Sequence, residues 1–304
     1  MPPVDHIVAV VGPTASGKSA LAVAIAQRLG AAEIVNADSM QLYRGMDIGT
    51  AKPTAEERGV VPHHLFDVLD VTRTATVAEF QGWARAAIAD CHARGVVPIL
   101  VGGSALYVRA VLDPLEFPGT DPAVRARWAA ELASRGPDAL HAELARRDPA
   151  AAAQILPTND RRVVRALEVI ELTGQPFVAT MPAYESIHPA TLLGLRVPRD
   201  VLDVRLTERV ERMWADGFVE EVRRLVDLGL EDGLTSGKAI GYQQILAFLR
   251  GEMTEDEAKE ATITGTRKFA RRQDRLFTKD PRITWLPYDA ATLVDQAMAV
   301  VARA

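Results

Sequence analysis

Short apolar runs alternate with helical periodicities along the first hundred residues. "HIVAVV" (6–11) is an uninterrupted apolar run rich in β-branched residues and followed by a glycine, the pattern of a strand buried on both faces. "KSALAVAIAQRLG" (18–30) repeats Leu21, Ile25 and Leu29 at helical spacing and stops at Gly30. "AEIVNAD" (32–38) reads as the next strand. "TVAEFQGWARAAIADCHARG" (76–95) reads as a helix with Phe80, Trp83, Ala87 and Cys91 on one face. "VVPILVGG" (96–103) is a further buried strand, running into a glycine turn and a helix from Ser104. Strands alternating with helices across short glycine joints predict a parallel α/β sheet.

The pattern then changes. From "EFPGTDP" (116–122) to about Gly174 the chain is rich in Ala, Arg and Glu without clear strands, and "GQPFVATMPAYESIHP" (174–189) closes the segment. This predicts a core made of residues 1–117 and 190–304, interrupted by an all-helical insert at 118–189. "ATLLGLRV" (190–197) returns a strand to the core sheet, and long helices follow at 201–229, 238–250 and 254–277. There is no internal repeat or low-complexity tail.

Of 304 residues, 48% are apolar and 25% charged, which is an ordinary globular balance. A net charge of −5 argues against a generally basic nucleic-acid binder, but not against a local basic face. The single cysteine, Cys91, permits no intrachain disulfide and is expected as a packed thiol. "MPPVDH" has no basic n-region and no cleavage site, and "VVPILVGGSALYV" is broken by Pro98 and a glycine pair. The expectation is a cytoplasmic protein without a membrane partner.

Gly12, Pro13, Thr14, Ala15, Ser16, Gly17, Lys18 and Ser19 fit G-x-x-x-x-G-K-[ST] between a strand and a helix, the context this phosphate-binding motif requires. Its glycines let backbone N–H groups converge on an anion at a positive helix end, Lys18 adds a point charge, and the Ser19 hydroxyl can bind Mg²⁺. The fold class is thus a P-loop NTPase-like parallel sheet flanked by helices, with a smaller helical insert. Asp38 ends the second strand, on the same carboxyl edge as the cradle. It could cap a turn, coordinate magnesium or act as a general base. Gly102-Gly103-Ser104 faces that edge too, either as a plain turn or as part of the site.

Two basic clusters stand out. "NDRRVVRALEVIELTG" (159–174) places Arg161, Arg162 and Arg165 in the first turns of a helix, with Val164, Leu167 and Ile170 available for packing. In "TRKFARRQDRLFTK" (266–279), Arg267, Arg271 and Arg275 form one i, i+4 row, with Lys268 and Arg272 beside it. Either cluster alone reads as a solvated face; together they suggest a polyanion. Arg205 and Arg209 could reach a phosphate or pair with Glu208 and Glu211. His63 and His64 lack metal-ligand companions at useful spacing and are expected to be structural.

With these residues in place, the chain resembles the tRNA dimethylallyltransferase (isopentenyltransferase) family. The blocks are "GPTASGKS", "NADSMQLYRGMDIGTAKP", "VPHHLFDVLD", "PILVGGSALYVRAVL", "NDRRVVRALEV", "GYQQI" and "TRKFARRQDRLF", in family order from residue 6 to about 286. Ser19 and Ser104 stand where threonines are commoner, and Phe277 where tryptophan is frequent. The resemblance implies dimethylallyl diphosphate as donor, diphosphate as leaving group and Mg²⁺ as cofactor. The acceptor it implies is N6 of an adenosine beside the anticodon, in the anticodon stem-loop of tRNA, and the protein is expected as a monomer. It makes Asp38 the base and residues 12–19 the diphosphate or nucleotide site. Thr14, Lys18 and one of Arg205 or Arg209, Arg209 being favoured, would assist catalysis. Asp38, Ser39, Met40, Gln41, Ser104, Arg161, Arg162, Val163, Val164 and Arg165 would touch tRNA. A small-molecule kinase, or a prenyltransferase of free adenine nucleotides, shares the cradle; the insert and basic helix favour an RNA acceptor.

Overall fold

The structure is a computed structural model that describes residues 5–177 and 183–303. Six parallel strands form one sheet in the order β3-β2-β4-β1-β5-β6. They are β1 (Ile7–Val11), β2 (Ala32–Asn36), β3 (His63–His64), β4 (Val97–Gly102), β5 (Ala190–Arg196) and β6 (Ile283–Pro287). Because β1 lies between β4 and β5, the chain leaves it toward one edge and returns on its other side. That switch point is where an open α/β sheet offers a crevice beyond its strand ends.

The pleat of β1 divides the core. Ile7, Ala9 and Val11 join the larger apolar cluster on one face, and Val8 and Val10 the cluster on the other. Helix α1 (Lys18–Leu29) covers the second face through Leu21, Ala22, Ile25 and Ala26. After the short α2 (Ala55–Arg58), α3 (Val77–Ala93) and α4 (Ala105–Leu112) cover the first face. The edge strand β3 is only two residues long, and the other edge strand, β6, ends in Pro287, which discourages further strand pairing.

Residues 115–183 form a separate compact unit. Its helices are α5 (Pro122–Arg135), α6 (Pro137–Arg147), α7 (Pro149–Gln154) and α8 (Asp160–Thr173). Proline opens α5, α6 and α7, where its missing N–H costs nothing. Trp128, Leu140, Leu144, Val163, Val164 and Leu167 build the unit's own core. The expected insert ended at 189, but 184–189 belong to the larger unit. There Ile187 N–H donates to the Leu112 carbonyl at 2.7 Å, and the Arg109 guanidinium lies over the Tyr184 ring.

The remaining helices are α9 (Arg199–Ala215), α10 (Phe218–Asp227), α11 (Tyr242–Leu249), α12 (Glu255–Phe277) and α13 (Leu293–Val301). The helix expected at 201–229 is therefore two helices. Gly217 at φ +94° breaks it, and Phe218 turns fully inside against Trp214 and Tyr242. The helix expected from 238 starts only at Tyr242, after Gly241 at φ +90°. Strand β6 and helix α13 lie beyond the last expected element. Among the described residues no helix is long and apolar enough to cross a membrane.

Candidate active site at the carboxyl edge of the sheet

The loop after β1 wraps the N-terminus of α1 in an irregular backbone. Gly12 (φ +140°) and Gly17 (φ +98°) occupy conformations suited to glycine, and Ala15 is held at φ +62° despite its side chain. Lys18 turns back to donate to the Pro13 carbonyl at 3.3 Å, and the Ser19 hydroxyl is exposed in the first turn of α1. That hydroxyl is a hard oxygen donor at a positive helix end, which fits Mg²⁺ shared with phosphate oxygens.

Two side chains from distant helices grip Thr14. Arg209 of α9 donates to its hydroxyl at 3.1 Å, while its backbone N–H donates to Oε1 of Gln273 on α12 at 2.9 Å. Arg205, the other candidate, instead stacks over the Tyr288 ring, 4.5 Å from its centroid. So Arg209 is the arginine at the cradle. Desolvation lowers the Lys18 pKa to about 8; Asp38 opposes that shift and Arg209 adds to it. Desolvation lowers the Arg209 pKa too, again against the pull of Asp38. Two partly desolvated cations and one carboxylate thus share a field at this edge, and an incoming polyanion relieves the cations' mutual repulsion.

Asp38 is half-exposed and sits in an Asx turn. Its Oδ1 accepts the Met40 N–H at 2.9 Å, and its own N–H donates to Asn36 Oδ1 at 2.9 Å. The turn-cap alternative is therefore partly realised, but Oδ2 has no hydrogen-bond partner among the described residues. The turn fixes the direction of the carboxylate and leaves an oxygen able to take a proton. Ser39, Met40 and Gln41 follow on the partly exposed side of the loop. Gln41 Nε2 donates to the carbonyls of Thr50 and Ala51 at 3.1 and 3.2 Å. Buried Glu221 in turn accepts the N–H groups of Asp47, Ile48 and Gly49 and the Tyr242 hydroxyl. Lys52 closes the same loop onto Asp47 and Asp67, both at 2.6 Å. Sequence reading missed Glu221 and Gln273 because their partners lie far along the chain, and Lys52 because its partners Asp47 and Asp67 share no helical or strand spacing with it.

The glycine pair is more than a turn. A Cβ on Gly102 would stand 2.4 Å from the Ala37 carbonyl oxygen, and one on Gly103 2.4 Å from Gln273 Nε2. Ser104 N-caps α4 without using its side chain, so its hydroxyl is not consumed by the helix.

The basic clusters divide. On α12, Lys268, Arg271, Arg272 and Arg275 line a surface hollow of about 260 Å³, whereas Arg267 turns inward and donates to Thr207 at 2.7 Å. The expected row of Arg267, Arg271 and Arg275 therefore loses its first member to the α9 contact. On α8, Arg161 is exposed and Arg162 half-exposed. Arg165 is engaged within its own unit, donating to Glu168 and to the carbonyls of Pro118 and Gly119. Val163 and Val164 are 1% and 7% exposed, so their side chains pack the unit's core rather than face a ligand.

The ligand-bearing atoms of Glu33, His64 and Cys91 lie within 4.8 Å of one another, companions that spacing alone did not reveal. The Arg94 guanidinium already holds both Glu33 oxygens, at 2.7 and 2.6 Å, and its hydrogen bonds pull that carboxyl down to about 2. Burial pushes the Cys91 thiol up to about 12. This is a filled ion pair with a packed thiol. The His63 ring bonds the Val61 carbonyl, as expected of a structural histidine.

A family model described as IPP transferase matches residues 41–280, and one described as isopentenyl transferase matches 5–66. The tRNA dimethylallyltransferase of Thermobifida fusca is 64% identical over 97% of this chain and 94% of its own. That of Kineococcus radiotolerans is 60% identical over 97% and 95%. The tRNA isopentenylpyrophosphate transferase of Bacillus halodurans superposes with a TM-score of 0.72 at 40% identity, over 98% of this chain and 97% of its own. A eukaryotic dimethylallyltransferase solved while acting on tRNA gives 0.80 at 26% identity, over 97% and 77%. With a family model matching most of its length and relatives 60–64% identical over 97% of it, the chain belongs to the IPP transferase family, that of the tRNA dimethylallyltransferases.

Proposed function

We propose that the protein transfers a dimethylallyl group from dimethylallyl diphosphate to N6 of an adenosine beside the anticodon of tRNA, releasing diphosphate. The observation that carries this reading is the shared field of Lys18, Arg209 and Asp38 around the loop that holds Thr14. The cations suit the leaving group and the carboxylate suits the amine.

In the reaction the N6 lone pair forms a bond to the allylic carbon as that carbon's bond to the diphosphate oxygen breaks. The bonding pair leaves with diphosphate, and the N6 proton passes to Asp38. An aromatic amine is a weak nucleophile, so most of the acceleration must come from placement and leaving-group stabilisation. The N–H groups of Gly17, Lys18 and Ser19 at the start of α1, with the Lys18 and Arg209 side chains, face the growing negative charge. Thr14 sits between Arg209 and the loop backbone, where its hydroxyl can meet a phosphate oxygen. Mg²⁺, held by Ser19 and diphosphate oxygens, would supply further charge neutralisation. The adenine must leave its stack to reach this edge, at a cost of a few kcal/mol that RNA contacts offset. Met40, Gln41 and Ser104 at the edge, with Arg161 and Arg162 of α8, are the contacts assigned here. The reading includes a monomer acting in the cytoplasm.

The test is product analysis after incubation of the protein with an anticodon stem-loop and dimethylallyl diphosphate or ATP, each labelled in turn. A five-carbon adduct on adenine N6 supports the proposal. Label reaching RNA from ATP alone would make the protein a kinase, and free AMP outcompeting the stem-loop would reassign the acceptor.

A further inference from the structure

We infer that Gln273 is a positioning residue that ties the phosphate cradle to the β4–α4 turn through its two amide atoms. The inference rests on reading residues 12–19 as a diphosphate site and gives a role to a residue of the 266–277 block that its basic pattern does not single out.

Gln273 is 4% exposed, and both of its amide atoms are used. Oε1 accepts the Thr14 N–H at 2.9 Å, and Nε2 donates to the Gly103 carbonyl at 2.8 Å. The orientation of the amide follows from its partners, since a carbonyl can only accept and an N–H can only donate. Gly103 is a glycine for the same reason: any side chain there would collide with Nε2 at 2.4 Å. One buried amide therefore reaches back 170 residues to one loop and 259 to the other, joining them at the sheet edge.

The rest of α12 supports this placement. Ala270, one turn earlier on the same face, packs in a small cluster with Leu202 and Leu206 of α9 and with Ala15 of the loop. Arg267, one turn earlier again, bonds Thr207 of α9. The α9–α12 pair thus delivers Arg209 to the hydroxyl of Thr14 and Gln273 to its N–H, so the residue is fixed from two directions. Ala15 beside it is held in left-handed backbone, a conformation that persists only where the surroundings enforce it. Without the Gln273 acceptor, the Thr14 peptide can rotate and the convergence of N–H groups on an anion is lost. Without its donor, the Gly103 carbonyl is left buried and unpaired, and the turn that presents Ser104 loosens.

The test uses the full chain with Q273M, which keeps the volume and removes both bonds, and Q273E, which keeps the acceptor and loses the donor. The dissociation constant of inorganic diphosphate is measured by calorimetry, and kcat and KM for a stem-loop are measured separately. Q273M is expected to weaken diphosphate binding about 10-fold, on the scale of one to two hydrogen bonds. Its kcat should fall by at least as much, with KM for RNA within about 2-fold of the native value. Q273E should lie between. A purely structural role would lower the number of binding-competent molecules while leaving the dissociation constant unchanged, and that result would overturn the inference. Native-like diphosphate binding by Q273M, or a Q273E protein equal to the native one, would overturn it as well. Weakened diphosphate binding in Q273M from a protein that prenylates no RNA would retain the positioning role and reject the proposed reaction instead.

Discussion

Arginines serve opposite ends in the two units. In the helical unit, Glu168 is fully buried and collects Arg125, Arg165, the Thr120 hydroxyl and the Asp121 N–H. Burial alone would raise its carboxyl; these partners outweigh burial and hold it near 2. At the sheet edge, Lys18 and Arg209 donate only to neutral oxygens in the bonds they make, and desolvation lowers both. Matched charge makes structure, whereas the incompletely matched charge at the sheet edge suits the proposed diphosphate site. A binding site built this way sacrifices stability for affinity, and the helical unit has no reason to do so.

Removing charge should therefore have opposite signatures in the two places. The largest effect is expected from D38A, which should lower turnover about 1,000-fold, the scale of a lost general base, while RNA affinity changes little. Single-turnover kinetics beside filter binding would check it. K18M should lower turnover roughly 100- to 1,000-fold, the scale of a lost oxyanion donor. Its melting temperature should hold or rise, because a poorly compensated cation leaves the interior. A clear fall in thermal stability would undo the contrast drawn above. E168Q should do the reverse: about 2 kcal/mol of stability lost, with hydrogen-exchange protection falling in residues 115–177 first.

Acid sharpens the same comparison. The Glu168 carboxyl has a lower pKa in the folded chain than its ordinary 4.5, so its contribution is complete above about 4.5 and disappears as pH falls toward about 2. In E168Q the 115–183 unit should lose that part of its acid sensitivity, measured by exchange protection across the range. At the sheet edge the pH effect lies on the alkaline side. Diphosphate prefers charged Lys18, so its affinity for the free protein should weaken as pH rises through about 8. Calorimetry between pH 7 and 9 would show it, and K18M should not respond. The smallest change is expected from R272A, on the exposed face of α12. It should reduce the slope of log affinity for RNA against log salt by about 0.7 to 0.9, with little effect on kcat.

Much of this was legible in sequence because the signals are local. The cradle is eight consecutive residues with a strand before and a helix after, and β1, β2, β4 and β5 are short apolar runs that no solvated segment would tolerate. Phe277, at the end of α12, is 2% exposed and joins the larger core cluster. What escaped has weak local patterning. Strand β3 is two histidines, identifiable only by the pairing of His63 and His64 with Ile34 and Val35. Strand β6 pairs along Gly194, a residue that leaves room for the Trp285 ring. The break at Gly217 was hidden because the apolar positions on either side keep helical spacing through it.

The chain by itself determined which chemistry is present: a loop able to cradle phosphate, an acid at the next strand end, and basic helices in an acidic protein. These depend on neighbours within a few residues, where backbone geometry and residue type nearly suffice. Only the tertiary structure decided how the parts are used. It chose Arg209 over Arg205, withdrew Arg165, Val163 and Val164 into the insert's fabric, and set Gln273 between two loops. Those choices turn on which side chains meet after hundreds of residues have been packed. Helical periodicity gives a residue its face, but only the completed packing gives that face a neighbour.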